Sequence, residues 1–275
     1  MRRATAGRVW SNTAAVVLFV FFAFPVYWMV TTAFKPDLDI ISKTPVFVPF
    51  DGTLAHFTKA VHAAGFWTLV RNSFTVTLGA VLLSLIVSML AAFALARMRF
   101  RGRKAFILMI MVAQMAPWEV MTISVYMIVR EQDQLNSLVP LILFYMMMVM
   151  PLTVWTLRGF IAAVPKELEE SALVDGCTRR QAFFRVVFPL LAPGLMSTSL
   201  FGYITAWNEF PLVLILNKDN GQTLPLWLTE FQTNFGNDWG ATMAASTLFT
   251  LPVVVVFLVL QRKAVGGLTA GAVKG

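Results

Sequence analysis

Residues 165–189 read PKELEESALVDGCTRRQAFFRVVFP, a polar stretch set between long apolar runs. Pro165 suits the first position of a helix, and the glutamates that follow it favour the positive end of the helix dipole. Gly176 can end that helix in a left-handed conformation. Thr178, with Gln181 three residues later, is typical of a capping box that opens a second helix. The segment therefore predicts a short polar helix, a glycine turn, and a second helix that returns to apolar surroundings.

The rest of the chain is much more apolar than a soluble domain. Of its 275 residues, 58% are hydrophobic and only 13% are charged, against about 25% charged in soluble domains. A helix needs about 20 apolar residues to cross a bilayer. Six runs meet that length, at about 13–34, 72–96, 105–129, 138–157, 186–216 and 239–260. We predict an all-α membrane protein with six transmembrane helices that form a single domain over 1–275. The first run lacks a small-x-small cleavage site, so we interpret it as a retained helix rather than a signal peptide.

The lysines and arginines predict the orientation of these spans. Six crossings place both termini on one side, together with the loops 97–104 and 158–185. That side carries sixteen of the 22 Lys and Arg residues, and the positive-inside rule makes it cytoplasmic. We therefore expect a multi-pass protein of the cell (plasma or inner) membrane with both termini in the cytoplasm. Because this topology explains the net charge of +8, nucleic-acid binding is not expected.

The short polar helix admits two interpretations. Leu168, Ala172 and Leu173 give it a small apolar face that would fit a groove on a partner protein. It could instead lie on lipid, although interfacial anchors favour basic flanks and the first turns here are acidic. We favour docking to a cytoplasmic protein.

Polar residues within the spans are candidates for a solute pathway. A charge at mid-bilayer costs about 2.5–3.5 kcal/mol on insertion scales, so we expect Glu119 to face the bundle interior. Glu119 could accept hydrogen bonds from solute hydroxyls or pair with a neighbouring helix. Asn208 and Glu209 could contact solute or cap a helix break before Pro211. The candidate pathway residues are Gln114, Glu119, Tyr203, Asn208 and Glu209.

Other chemistry is poorly represented in the sequence. One cysteine and two histidines do not suffice for a cysteine- or histidine-based metal centre, so no metal site is assigned. The sequence has no GxxxxGK(S/T) stretch, the loop that cradles nucleotide phosphates. ATP-driven work would therefore need another subunit, and we expect the chain itself to be no enzyme, with no catalytic residues.

The segment 165–189 also resembles a known family. The pattern Glu-Ala-Ala-x3-Gly-x9-Ile-x-Leu-Pro marks the permease subunits of binding-protein-dependent ABC importers. With every spacing kept, it falls on Glu170, Ser171, Ala172, Gly176, Val186, Phe188 and Pro189. Ser171, Val186 and Phe188 are mild departures from it. WNEFP at 207–211 and GLTAGAVKG at 267–275 look like stretches of the maltose-type carbohydrate permeases, specifically the six-helix partner of the pair.

This resemblance implies a set of partners. They are a second permease subunit that forms a heterodimer with this chain, two cytoplasmic ATPase subunits that bind ATP and Mg, and an extracytoplasmic binding protein. The binding protein would deliver a carbohydrate or polyol-type solute, and its contact would be the loop 217–240. Membrane lipid surrounds the spans.

The resemblance also implies which residues meet the ATPase. The coupling loop 158–185 would receive the ATPase motion through Glu169, Glu170, Ser171, Ala172, Asp175 and Gly176. The C-terminal tail 261–275 would contact the ATPase with an extended backbone through Thr269, Gly271 and Lys274.

An alternative from another class is an ion-coupled secondary transporter with Glu119 and Glu209 as ion sites. That interpretation expects internal repeats, and the two halves of the sequence show no clear repeat. An intramembrane enzyme is disfavoured because the spans contain no Ser/His, paired-Asp or HExxH constellation.

Overall fold

A computed structural model describes the backbone of residues 2–115, 117–233 and 236–272, and the side chains of 10–115, 117–232 and 236–261. The fold is built from helices, with a single two-stranded hairpin in the described part. The helices are α1 Arg2–Ala33, α2 Asp37–Ile40, α3 Ala55–Val61, α4 Phe66–Arg97, α5 Arg103–Ala113, α6 Trp118–Glu131, α7 Leu138–Ala163, α8 Lys166–Val174, α9 Arg179–Ala182, α10 Phe188–Leu190, α11 Ala192–Trp207, α12 Pro211–Leu216, α13 Leu224–Trp227 and α14 Trp239–Ala272. A π-helical turn, Phe183–Val187, joins α9 to α10, and a 3-10 turn, Leu228–Phe231, follows α13.

Four continuous helices are long and apolar enough to cross a membrane: Trp10–Ala33, Phe66–Arg97, Leu138–Ala163 and Trp239–Gln261. Two pairs of helices pass the same test together but bend by more than 40° at a short break, namely Arg103–Ala113 with Trp118–Glu131, and Arg179–Leu190 with Ala192–Trp207. The described residues thus contain up to six spans if each bent pair counts as one. The predicted all-α membrane fold is confirmed.

The third and fifth runs differ from the prediction, which treated 105–129 and 186–216 as continuous. Pro117 immediately precedes α6 in an extended conformation, φ −71° and ψ 112°. The fifth run bends by 67° at Leu191 and is interrupted again before Pro211, the first residue of α12. Proline has no backbone N–H and clashes with the preceding turn, so helices tend to begin rather than continue there.

Contacts between Cα atoms divide the chain into two compact units, Met1–Phe66 with Trp227–Leu251, and Trp67–Leu226 with Pro252–Gly275. A single domain over 1–275 stays a prediction.

Within the described residues, the larger unit has two apolar cores. One joins α4, α6, α7, α11 and α12 around the buried residues Val76, Val125, Leu141, Tyr145 and Val213. The other joins α4 and α7 to the π-turn and the start of α11, around Leu95, Leu157, Ile161, Val187 and Leu191. Small residues let these helices approach closely. A Cβ at Gly202 would lie 2.8 Å from Val149 Cγ1.

The smaller unit contains α1, α2, α3 and the start of α14. Lys59 on α3 forms an ion pair with Asp238, just before α14. The Nε2 atom of His56 lies 2.9 Å from the carbonyl oxygen of Lys35, within hydrogen-bond distance. Strands β1 Gln232–Thr233 and β2 Gly236–Asn237 pair antiparallel, within the stretch predicted as a loop. The apolar part of α1 is exposed within this chain, as expected of a helix that faces lipid or another subunit.

Candidate functional site

The short polar helix predicted from Pro165 onward forms where the sequence predicts it. This helix is α8. It begins at Lys166, one residue later than predicted, so Pro165 precedes the helix instead of being its first residue. Gly176 has φ +86°. The Cys177 N–H donates to the Ala172 carbonyl at 2.9 Å, and the Gly176 N–H donates to Leu173 at 3.1 Å. These two bonds define a Schellman motif, so the predicted glycine turn is confirmed.

The returning helix also begins as predicted. The Gln181 N–H donates to Thr178 Oγ1 at 3.3 Å, and the Thr178 N–H donates to Gln181 Oε1 at 2.8 Å. This is the reciprocal capping box expected at residues 178 and 181. The helix then widens into the π-turn just ahead of Pro189, which has no N–H to donate.

One cation holds α8 against the rest of the larger unit. Arg97, the last residue of α4, places Nη2 2.6 Å from Glu169 Oε1 and donates from the same atom to the Val164 carbonyl at 2.8 Å. The Arg97 and Glu169 side chains are 10% and 22% exposed. The contact with Glu169 is close but lies outside hydrogen-bond geometry, so we describe it as an ion pair. The sequence places Arg97 among the basic residues of the loop 97–104 but does not predict its contact with Glu169; its place at the end of an apolar run is the only signal.

The residues predicted to couple to an ATPase divide between two faces of α8. Ala172 is buried within this chain and Glu169 points to Arg97, whereas Glu170, Ser171 and Asp175 are exposed. The predicted apolar docking face of Leu168, Ala172 and Leu173 is therefore corrected, because Ala172 packs inward against the chain itself. Val174, 88% exposed, is the most exposed apolar group of the helix.

The C-terminal tail differs from the expected extended segment. α14 continues to Ala272, so Thr269 and Gly271 belong to a helix; the sequence after Pro252 contains no further proline to stop it. The side chains of Thr269 and Gly271 lie outside the described ones, and Lys274 lies outside the described residues.

Three of the five candidate pathway residues meet at one cavity. Glu119, Asn208 and Glu209 line a pocket of about 210 Å³ between α6, α7 and the α11–α12 break. Gln114 is exposed and is not among the residues that line it. Tyr203 is buried and stacks on Trp207, with ring centroids 5.4 Å apart. Among the described residues, its hydroxyl has no hydrogen-bond partner.

The two glutamates of this pocket differ in how they are bound. Glu209 is 9% exposed; one of its oxygens accepts from the Tyr145 hydroxyl and the other from the Leu212 N–H at 2.9 Å. Glu209 therefore caps α12, which supports the capping interpretation of this residue. Glu119, on the first turn of α6, lines the pocket but is exposed within this chain. This differs from the expectation that it faces the bundle interior. Tyr145 was not identified from the sequence.

Asparagines fix the start of the predicted outer loop. Asn72 donates to the carbonyls of Asn220 at 2.7 Å and Gln222 at 2.9 Å. Asn217 donates to Gly221 at 2.8 Å, and a Cβ at Gly221 would clash with that side chain. The stretch 217–222 is thus a structured turn, anchored to α4.

The fold and these sites define a class of protein: a helical membrane permease with a short polar helix on a loop. The chain belongs to the family of binding-protein-dependent transport system inner membrane components, which it matches over residues 84–265. It is 66% identical over 276 residues, 100% of both chains, to the diacetylchitobiose uptake system permease protein DasC of Streptomyces coelicolor. It is 32% identical over 282 residues, again 100% of both chains, to the arabinooligosaccharides transport system permease protein AraQ of Halalkalibacterium halodurans.

A solved structure shares the fold. It is that of a bacterial ABC transporter involved in the import of the acidic polysaccharide alginate, with a TM-score of 0.78 at 21% identity, covering 94% of this chain and 97% of that one. The predicted family is confirmed, and the family match gives no support to the ion-coupled alternative.

Proposed function

We propose that this chain is one permease subunit of an ATP-driven importer that carries a sugar or sugar-like solute across the cell membrane. The observation that carries the proposal is the full-length identity of 66% to a diacetylchitobiose permease. AraQ, a full-length relative at 32%, is likewise named for an oligosaccharide. A binding protein outside the membrane would deliver the solute, and a second permease subunit would complete the pathway.

The drive for transport would come from partner ATPases, which would hold ATP and Mg. The outward residues Glu170, Ser171, Val174 and Asp175 of α8 are available to such a partner. Glu169 and Ala172 would instead hold α8 to the permease. In this assignment both termini and the coupling loop are cytoplasmic, and the tail 261–275, with Thr269, Gly271 and Lys274, would lie near the ATPases.

Glu119 and Asn208 are the groups of the pocket best placed to contact solute. The carboxylate of Glu119 is exposed to the cavity and can accept hydrogen bonds from sugar hydroxyls. Glu209 would act as a positioning residue, since both its oxygens are already engaged by Tyr145 and Leu212. Gln114 and Tyr203 have weaker support, because they do not line the pocket.

The proposal is tested by reconstitution in proteoliposomes. The chain is assembled with the second permease, ATPase and binding protein produced from neighbouring genes, and uptake of labelled diacetylchitobiose, an arabinooligosaccharide and maltose is measured. We expect uptake of at least one sugar only when ATP and the binding protein are both present. Uptake by the chain alone, driven by an ion gradient, would overturn the proposal.

The role of α8 is tested separately with Glu170→Lys. Reversal of an exposed charge should leave membrane insertion intact and lower the amount of ATPase that co-purifies with the permease. The matched control is Glu131→Lys, also exposed but at the opposite end of a span. Equal ATPase yields for both variants would remove Glu170 from the interface.

The pocket is tested with Glu119→Gln, with Glu131→Gln as its control. We expect a rise in the KM of uptake for Glu119→Gln and no change for Glu131→Gln. Unchanged uptake affinity and rate would take Glu119 out of the solute site.

A further inference from the structure

A second pocket lies in the smaller unit, at the C-terminal end of the span Trp10–Ala33. Its volume is about 360 Å³, within the usual range for small-molecule sites. The residues with useful chemistry around it are Trp28, Thr32, Lys35, Asp39, Ser42 and Trp239. None of the predicted pathway or coupling residues lines it.

Lys35 is the unusual group of this pocket, because it is a lysine only 2% exposed. Its Nζ lies 3.7 Å from the centroid of the Trp28 ring and donates one hydrogen bond, to Thr32 Oγ1 at 3.4 Å. An ammonium group has three N–H donors, and among the described residues no other acceptor engages it. Burial lowers the pKa of Lys35, and the charge of Asp39 partly offsets this by raising it. A buried cation with unused donors, which lines a cavity, is matched to an acceptor that enters from outside.

The rest of the pocket favours a neutral polyhydroxylated molecule as that acceptor. Asp39 adds a carboxylate close enough to influence Lys35, so an anion would meet a like charge. A sugar hydroxyl can both accept from the ammonium and donate to the carboxylate. Trp239, 49% exposed, offers an aromatic face on which the C–H face of a pyranose ring can pack, whereas one face of Trp28 is already covered by Lys35.

The backbone around Lys35 is held in place by groups outside the pocket. His56 is buried and contacts the Lys35 carbonyl at 2.9 Å. Gly240 makes room for it, since a Cβ there would clash with the imidazole ring. This support holds the backbone of Lys35 in place at the pocket before any ligand arrives, which lowers the ordering cost of binding.

We propose that this pocket is an outer saccharide site that binds one pyranose unit of the solute through Lys35, Asp39 and Trp239. The proposal rests on the proposed function, which supplies both a sugar and an extracytoplasmic side for residues 35–62. It gives the solute a binding place on this subunit separate from the pocket of Glu119, and fits a saccharide that is handed over in steps.

The experiment uses the complete importer in lipid nanodiscs, without its binding protein, and N,N′-diacetylchitobiose as the probe. Saturation-transfer difference NMR of these nanodiscs measures contact of the sugar with the protein. Transport is measured separately, as uptake into proteoliposomes to which the binding protein and ATP are supplied. We expect Lys35→Met and Trp239→Leu each to raise the dissociation constant from NMR titration at least about threefold and to raise the KM of uptake, with basal ATP hydrolysis unchanged. Lys43→Met, an exposed lysine beside the pocket, is the matched control and should behave like the wild type.

The outcomes separate the two proposals. No uptake of any sugar by the wild-type importer would defeat the proposed function itself. Normal wild-type uptake, with both pocket variants indistinguishable from Lys43→Met, would overturn the outer site alone. If Lys35→Met fails to assemble, Trp239→Leu decides the question, because that side chain is half exposed and its loss leaves no buried cavity. An effect confined to Lys35→Met, with Trp239→Leu normal, would also refute the proposed saccharide site, because that site needs the ring of Trp239.

Discussion

Replacement of Arg97 should loosen the proposed coupling helix without changing the surface it presents to a partner. Arg97 donates a charge-assisted hydrogen bond to the Val164 carbonyl at 2.8 Å, a kind of bond that contributes about 1.5–3 kcal/mol. The Arg97 and Glu169 side chains of the ion pair are 10% and 22% exposed. Loss of such a pair should therefore cost more than loss of a surface ion pair, about 0–1 kcal/mol, and less than loss of a fully buried one, about 3–5 kcal/mol. We therefore expect Arg97→Met to cost about 3 kcal/mol and Glu169→Gln about 1–2 kcal/mol.

Thermal unfolding of the purified permease in detergent measures this loss. For a domain near this size, 1 kcal/mol shifts the midpoint by about 2–4 °C, so Arg97→Met should lower it by about 6–12 °C. The double variant should reveal a coupling of about 1 kcal/mol, because the residues share one contact. Exposed neighbours supply the controls, Arg99→Met and Glu167→Gln, which should stay within about 2 °C of the wild type.

Two results would contradict this reasoning. One is a coupling free energy below about 0.3 kcal/mol, the level of additive, independent sites. The other is an Arg97→Met midpoint equal to that of Arg99→Met. In the assembled importer, Arg97→Met should also lower solute-stimulated ATP hydrolysis more than it lowers ATPase co-purification, since Glu170 and Asp175 remain outside the altered contact.

Three further changes test other parts of the structure. Gly176→Ala should cost about 1–2 kcal/mol, because φ is +86°, and should lower the unfolding midpoint, whereas Gly159→Ala within α7 should not; equal midpoints would refute a conformational role. Tyr145→Phe should cost about 1–3 kcal/mol by the same assay, since it leaves a buried carboxylate short of a donor. Burial raises the pKa of Asp238, but hydrogen bonds from Lys59 and a backbone N–H outweigh this and lower it overall, while Asp238 raises the pKa of Lys59. The stabilisation from this pair should therefore be complete between the unfolded pKa values of about 3.9 for Asp and about 10.4 for Lys. It should be lost as pH falls through the lowered pKa of Asp238 and as pH rises through the raised pKa of Lys59. Hydrogen exchange of α3 should show the acid loss, and Lys59→Met should abolish this pH dependence.

The parts of the fold predicted from sequence are those with local causes. The capping box at 178 and 181 and the turn at Gly176 depend on residues within a few positions of each other, so a single sequence reveals them. The contact of Arg97 with Glu169 joins residues 72 positions apart. Nothing in the identity of either residue selects the other, and the sequence therefore predicted an acidic helix without the cation that holds it.

Hydropathy also overstated the continuity of two spans. An apolar run reports that its residues avoid water, and it does so equally for a helix that continues and for one that bends. The signals for two of the three breaks were Pro117 and Pro211, which the sequence already showed within or at the edges of the runs. Packing decides whether a proline begins a new helix or is accommodated within a continuous one. Pro151 and Pro252 lie inside continuous helices.

The state of Glu119 supports the proposed second permease subunit. Its side chain is exposed in this chain, and Val120 and Ile123 beside it are largely exposed as well. If lipid covered this surface, a carboxylate would lie in hydrocarbon at a cost of about 2.5–3.5 kcal/mol, among apolar neighbours that could not offset it. A second subunit that supplied hydrogen-bond donors to Glu119 would offset that cost. It would also enlarge the pocket of about 210 Å³, which is below the volume of about 300 Å³ at which small-molecule sites usually begin. The exposed Glu119 and the small pocket are both what the proposed function predicts, in which this subunit encloses only half of the solute pathway.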